Sequence, residues 1–142
     1  MVEKIELENG LTLEIWNYSR KLAGDRWLVG FLVQVGVTPS PETFSSKEYY
    51  EAFKEKTDGK VYYRYRKERT FVPEKEVSKV FNSLKENFLK AALPYLSHPE
   101  FKERLVRHEV ASFEKRVDWE KWREEERRRE EEEEKTWNRE YI

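Results

Sequence analysis

The chain reads as an α+β protein: an antiparallel sheet of about four strands in the order β-β-β-α-β-α-α, packed by helices mainly on one face, with a long charged C-terminal helix. Three observations carry this. Residues 3–18 alternate apolar and polar about Asn9-Gly10, two later stretches repeat apolar residues at steps of three and four, and beyond Asp118 almost nothing apolar remains. Strands followed by helices gather the helices on an antiparallel sheet instead of building βαβ crossovers.

Glu3 to Glu8 and Leu11 to Tyr18 pair Ile5 and Leu7 with Leu11, Leu13 and Ile15 on one face, and Asn9-Gly10 between them predicts a type I′ hairpin turn, whose central positions need positive φ. Trp27 to Val37 is apolar at nearly every position, which predicts a central strand covered on both faces. Ser19 to Asp25 is a polar connection containing Gly24. Thr38-Pro39-Ser40-Pro41 breaks regular structure, and Ser45 with Glu48 predicts a capping box for a helix ending near Thr57, where Asp58-Gly59 stops it. Lys60 to Val72 reads as a long fourth strand, and Pro73 suits the first turn of the next helix.

In that helix Val77, Phe81, Leu84, Phe88, Ala91 and Tyr95 form an apolar stripe. Pro94 kinks or ends it, and Ser97 with Glu100 predicts a second capping box starting a helix near His98. There Val106, Val110, Phe113 and Val117 form the seam, with Phe101 and Leu105 on another side. We divide the chain into one domain, residues 1–117, and a charged helical extension, residues 118–142.

From Glu120 onward, opposite charges at i and i+4 outnumber like charges by seven to five. Each such pair contributes about 0.2–0.5 kcal/mol to an isolated helix, so the segment can stay helical in water with no core. No apolar heptad seam crosses Trp122 to Thr136, which excludes a conventional coiled coil.

The net charge of -1 at pH 7 combines 16 basic and 14 acidic groups before residue 98 with 12 and 15 after it, so bulk charge does not direct the protein to nucleic acid or an anionic membrane. With no cysteine there is no disulfide, thiolate chemistry or cysteine-ligated metal. A charged N-terminus and the lack of a long apolar run lead us to expect a cytoplasmic protein with no membrane contact. Charged residues at 40% match the composition of heat-adapted proteins, although a charged arm produces part of the same signal.

We expect no catalytic residues, metal or cofactor. His98 and His108 on one helix stand about 15 Å apart along its axis and cannot share an ion. No Gly-rich phosphate loop, nucleophile elbow or zinc-protease pattern occurs. The turn from Ser19 to Arg26 gathers Arg20, Lys21 and Arg26 as candidate anion ligands, with Asp25 orienting one of them; the simpler reading is a solvated loop with an Asp25–Arg26 surface pair.

Lys60 to Val72 mixes tyrosine with base, and Tyr62, Arg64, Arg66, Lys67 and Arg69 are candidates for binding single-stranded nucleic acid by stacking and phosphate contact. Ordinary cross-strand pairing uses the same residues, and recognised RNA-binding signatures are absent. On the extension, Trp119, Trp122, Trp137, Tyr141 and Ile142 are candidate partner-binding residues, since aromatic side chains anchor interfaces. The leading expectation is therefore a non-enzymatic protein-interaction or scaffold module whose helical extension contacts a partner or another copy of itself. The alternative is a nucleic-acid-binding protein using strand 60–72. A third reading, an enzyme acting on a small anion at the 19–26 turn, ranks below both.

Overall fold

The computed structural model describes the backbone of residues 2–141 and the side chains of residues 2–137. Five antiparallel strands form one sheet: β1 (Glu3–Glu6), β2 (Thr12–Asn17), β3 (Arg20–Ala23), β4 (Arg26–Val37) and β5 (Val61–Pro73). Three helices follow the sequence order as α1 (Lys47–Lys56), α2 (Val77–Leu96) and α3 (Phe101–Tyr141). Long β4 is central, with β5 along one side and β2 and β3 end to end along the other. Thus β5 forms one edge of the sheet, and β1 and β3 lie along the other.

The fifth strand is β3, inside the expected polar connection. Asn17 lies opposite Phe31 and Arg20 opposite Leu28, so β2 and β3 keep one register along β4. All four β3 residues are exposed, so pairing with β4 creates the strand without any apolar alternation. The real turn is Gly24-Asp25, with positive φ at Gly24 alone, as in a type II′ hairpin.

The first hairpin also differs from expectation in its turn. Gly10 has φ 86°, whereas Asn9 is not left-handed, and the amide of Gly10 donates to the carbonyl of Leu7 at 3.0 Å. This is a three-residue loop ending in a glycine bulge instead of a type I′ turn. The Asn9 side chain reaches far along the chain instead. Its Nδ2 donates to the carbonyls of Leu96 at 2.8 Å and His98 at 3.1 Å, fastening the hairpin to the α2–α3 junction. Asn9→Ala is expected to lower stability by about 1–2 kcal/mol in chemical denaturation, because the Leu96 carbonyl loses a part-buried donor. Asn9→Asp, which keeps the acceptor for the Leu11 amide but cannot donate, is expected to be no better; a rescue by aspartate would refute the tether.

One sheet face holds the core. Leu13, Ile15, Val29, Phe31, Val33 and Val35 are fully buried against Phe81, Leu84, Phe88 and Leu96 of α2 and the apolar side of α3. In α2 the stripe shifts after Phe88: Leu96 is buried and Ala92 packs on the core, while Ala91 and Tyr95 are exposed. The helix runs through Pro94 and ends at Leu96, two residues later. On α3 the seam Val106, Val110, Phe113 and Val117 is buried, and so are Phe101 and Leu105 on their separate side. The start of α3 is therefore enclosed on two sides: Phe101 meets Tyr63 and Tyr95, and Phe113 meets Phe53 of α1.

Neither capping box forms. Ser46 precedes α1 without a side-chain cap, and Ser45 gives both its amide and its hydroxyl to Glu114 of α3, each at 2.7 Å. Ser97 closes α2, and His98 lies before α3 with Nδ1 accepting from the amide of Glu100 at 3.1 Å. The two histidines are therefore not on one helix.

β5 carries a bulge where Trp27 faces Val72 and Val29 faces Arg69. There Phe71 adopts φ 56° while 74% exposed, a left-handed conformation that costs a bulky aromatic about 1–2 kcal/mol. Phe71→Gly is expected to raise stability by about 1 kcal/mol, since little packing is lost and the backbone strain is relieved. A loss of stability in thermal unfolding would show that the ring has a packing role. Among the described residues no helix is long and apolar enough to cross a membrane.

Candidate functional site

The second sheet face differs from the expectation that β4 is covered by other elements on both sides. Among the described residues no helix packs there. Strand register builds this face in rows: Glu14, Gln34 and Arg64; Trp16, Leu32 and Arg66; Tyr18, Gly30 and Glu68. Glycines in β4 admit tyrosine rings in place of a second layer. A Cβ on Gly30 would lie 2.4 Å from the Tyr18 ring, and one on Gly36 would lie 2.9 Å from the Tyr62 ring.

Arginines close over these rings. The Arg64 guanidinium lies 4.4 Å from the Tyr62 centroid, with Nε donating to Gln34 at 2.8 Å, and that of Arg66 lies 5.2 Å from the Tyr18 centroid. Tyr18 donates its hydroxyl to Glu68 at 2.8 Å. Burial first, then this bond to Glu68, pushes its phenol up to about 12. Tyr62 donates to Asp58, which raises the phenol above its ordinary value and holds the Asp58 carboxyl below its own.

The sheet thus brings Tyr62, Arg64 and Arg66 together and joins Trp16 and Tyr18 to them. Lys67 and Arg69 point to the helix-bearing face, opposite Phe31 and Val29. The uncovered face is close to charge-balanced, with Lys4, Arg20, Arg64 and Arg66 against Glu6, Glu14 and Glu68. Gly30 and Gly36, spaced by six in an otherwise apolar strand, are the sequence signal for these rings; which tyrosines fill them depends on strand register.

Arg20 and Lys21 are neighbours on β3 and point to opposite faces, and Arg26 pairs with Asp25 at 3.8 Å on the surface. The three cations do not converge on one anion. Trp27 is half-buried beside them.

The extension belongs to α3, a single helix of 41 residues, about 60 Å long. Among the described residues its last buried side chain is Val117. α1 fixes the direction: Tyr49 donates to Asp118 at 2.5 Å, and Lys56 binds Glu120 at 2.9 Å. That lysine holds the Glu120 carboxyl below its ordinary value, and the bond to Asp118 raises the Tyr49 phenol. Beside this root Trp119 and Trp122 are 55% and 51% exposed, their rings stacked at 5.1 Å and 17°. Lys121 and Glu124 still line the cleft against α1. Farther along, Arg128 pairs with Glu124 as the i, i+4 spacing predicts, and Arg129 pairs with Glu126 one residue nearer than predicted. Trp137 is 59% exposed. The side chain of Tyr141 and all of Ile142 lie outside the described residues. Among the described residues no cluster of three or more histidine, aspartate or glutamate side chains can hold a metal ion.

Comparison with known protein families, curated proteins and solved structures gives no match to this chain.

Proposed function

We propose that this protein is a non-enzymatic interaction module: an α+β body that aims a charged helix at a second protein or a second copy of itself. The observation that carries the reading is the stacked Trp119–Trp122 pair, exposed where α3 leaves the body. Two exposed tryptophans on a rigid helix are costly in water, and tryptophan is among the residues most enriched at binding hot spots. The contacts of Glu114, Asp118 and Glu120 with Ser45, Tyr49 and Lys56 hold that pair in a fixed orientation, which lowers the entropy lost on binding. We place the module in the cytoplasm, as its composition suggests. The test is affinity capture and sedimentation of the full chain beside Trp119→Ala/Trp122→Ala and a chain ended after Glu124, in which loss of assembly in either supports the reading and full assembly by both rejects it.

The shared face of Trp16, Tyr18, Tyr62, Arg64 and Arg66 favours a second reading, single-stranded nucleic-acid binding. It ranks below the first because both tyrosine rings lie between glycine and arginine and the face carries nearly as many acids as bases. This reading predicts that binding of a mixed-sequence oligonucleotide weakens steeply with salt and that Arg64→Ala/Arg66→Ala flattens the slope by about 2. A salt-independent signal, or an unchanged slope, counts against it.

A further inference from the structure

On the helix-bearing side, α2 and the start of α3 leave the later part of β5 uncovered. The result is a groove of about 440 Å³ between β5 and α2. Its floor is Phe88 stacked on Tyr65, at 4.7 Å and 25°, and Tyr63 and Tyr95 stand at one end. Lys67 and Arg69 stand at the other end. Lys67 follows Tyr65 by two residues on the same face of the strand, about 7 Å along it.

The polar groups of this groove are unspent. Among the described residues Lys67 and Arg69 have no ion pair or hydrogen bond, and the hydroxyls of Tyr63, Tyr65 and Tyr95 have no hydrogen-bond partner. No acid lines the groove. Elsewhere on the same strand the arginines are engaged, Arg64 with Gln34 and Tyr62, and Arg66 with Tyr18. Basic residues on an edge strand also deter pairing with other chains, but that role calls for no aromatic floor beside them. A half-enclosed cleft, mainly apolar and partly aromatic, with a few convergent polar groups at one end is the usual form of a small-ligand site.

We propose that the β5–α2 groove binds a small planar aromatic anion, its ring against Tyr65, Phe88 and Tyr95 and its carboxylate or phosphate on Lys67 and Arg69. The charge complementarity is local: two unpaired cations with no acid in the lining. A nucleoside monophosphate and an aromatic carboxylate share this chemistry. This site is separate from the tryptophan pair and does not depend on it.

The test uses the full chain and follows backbone amide shifts by NMR during titration with adenosine monophosphate, indole-3-acetate and decanoate. Saturable shifts at Asn87 and Ala91 are expected with one or both aromatic anions, and which of them binds identifies phosphate or carboxylate as the ligand's anionic group. Lys67→Ser/Arg69→Ser is expected to weaken binding roughly tenfold or more, since each cation supplies a charge-assisted hydrogen bond. Ala91→Trp, at an exposed helix position, is expected to block the groove with both cations intact. Binding by decanoate alone, affinity indifferent to both variants, or no saturable shift with any of the three overturns the proposal.

Discussion

Phe31→Ala is expected to cost about 4 kcal/mol. Phe31 is fully buried at the middle of β4, its ring edge-on to Phe81 at 5.8 Å and to Phe88 at 5.7 Å. Removing it takes away the apolar surface of one aromatic and leaves a cavity that the surroundings cannot close. Phe31 lies opposite Asn17 on β2 and Lys67 on β5, so β4 is hydrogen-bonded on both sides and its backbone cannot move toward α2. A domain of this size has about 5–15 kcal/mol in total, and the midpoint of thermal unfolding is expected to fall by about 15 °C. Phe31→Leu, which keeps most of the volume, is expected to lose about a third as much. A fall of only a few degrees for alanine would mean that α2 is free to collapse onto the sheet. The contrast with Phe71→Gly, predicted above to stabilise, lies in burial and backbone conformation, since both positions carry the same side chain.

The same contrast explains which parts of the fold were legible in the sequence. Leu13 and Ile15, or Phe81, Leu84 and Phe88, repeat at the spacing of a strand or helix because one side of each element is buried, and period alone reveals them. β3 escaped because all its residues are exposed and it exists through its register with β4. Ser45 and Asn9 resemble local signals, a capping serine and a turn asparagine, but their side chains bind Glu114 and the Leu96 carbonyl, respectively 69 and 87 residues away. No local pattern encodes such partners. Among the candidate site residues, alternation placed Tyr62, Arg64 and Arg66 together and separated Lys67 and Arg69 from them. Their neighbours Trp16 and Tyr18 come from β2 and the bend after it, and only strand pairing brings them close. The groove between β5 and α2 was hidden for a related reason: Ala91 and Tyr95 continue the helical stripe, yet the packing surface moves to Ala92 and Leu96.

Ending the chain after Glu124 is expected to leave the body folded and to abolish its association with partner or copy if the outer part of the helix makes the contact. No buried side chain lies beyond Val117 among the described residues, and the bonds from Ser45 and α1 to Glu114, Asp118 and Glu120 are all retained. The thermal midpoint is therefore expected to move by less than about 3 °C, equivalent to under 1 kcal/mol. The removed part, about 25 Å of helix, is supported chiefly by exposed ion pairs worth a few tenths of a kcal/mol each. At about 1 M salt the screening length falls to about 3 Å, so far-ultraviolet dichroism of the full chain should lose helix while that of the shortened chain stays constant. Association separates the two ends of the arm. If the stacked pair at the root is the anchor, Trp119→Ala/Trp122→Ala weakens assembly by about 2–4 kcal/mol, or 30- to 1,000-fold, and the shortened chain still assembles. If the outer end is the anchor, the shortened chain fails, the root variant behaves as wild type, and Trp137→Ala reproduces the loss. Full assembly by both the shortened chain and the root variant would remove the arm from the function altogether and leave the two faces of the sheet as the places where this protein meets other molecules.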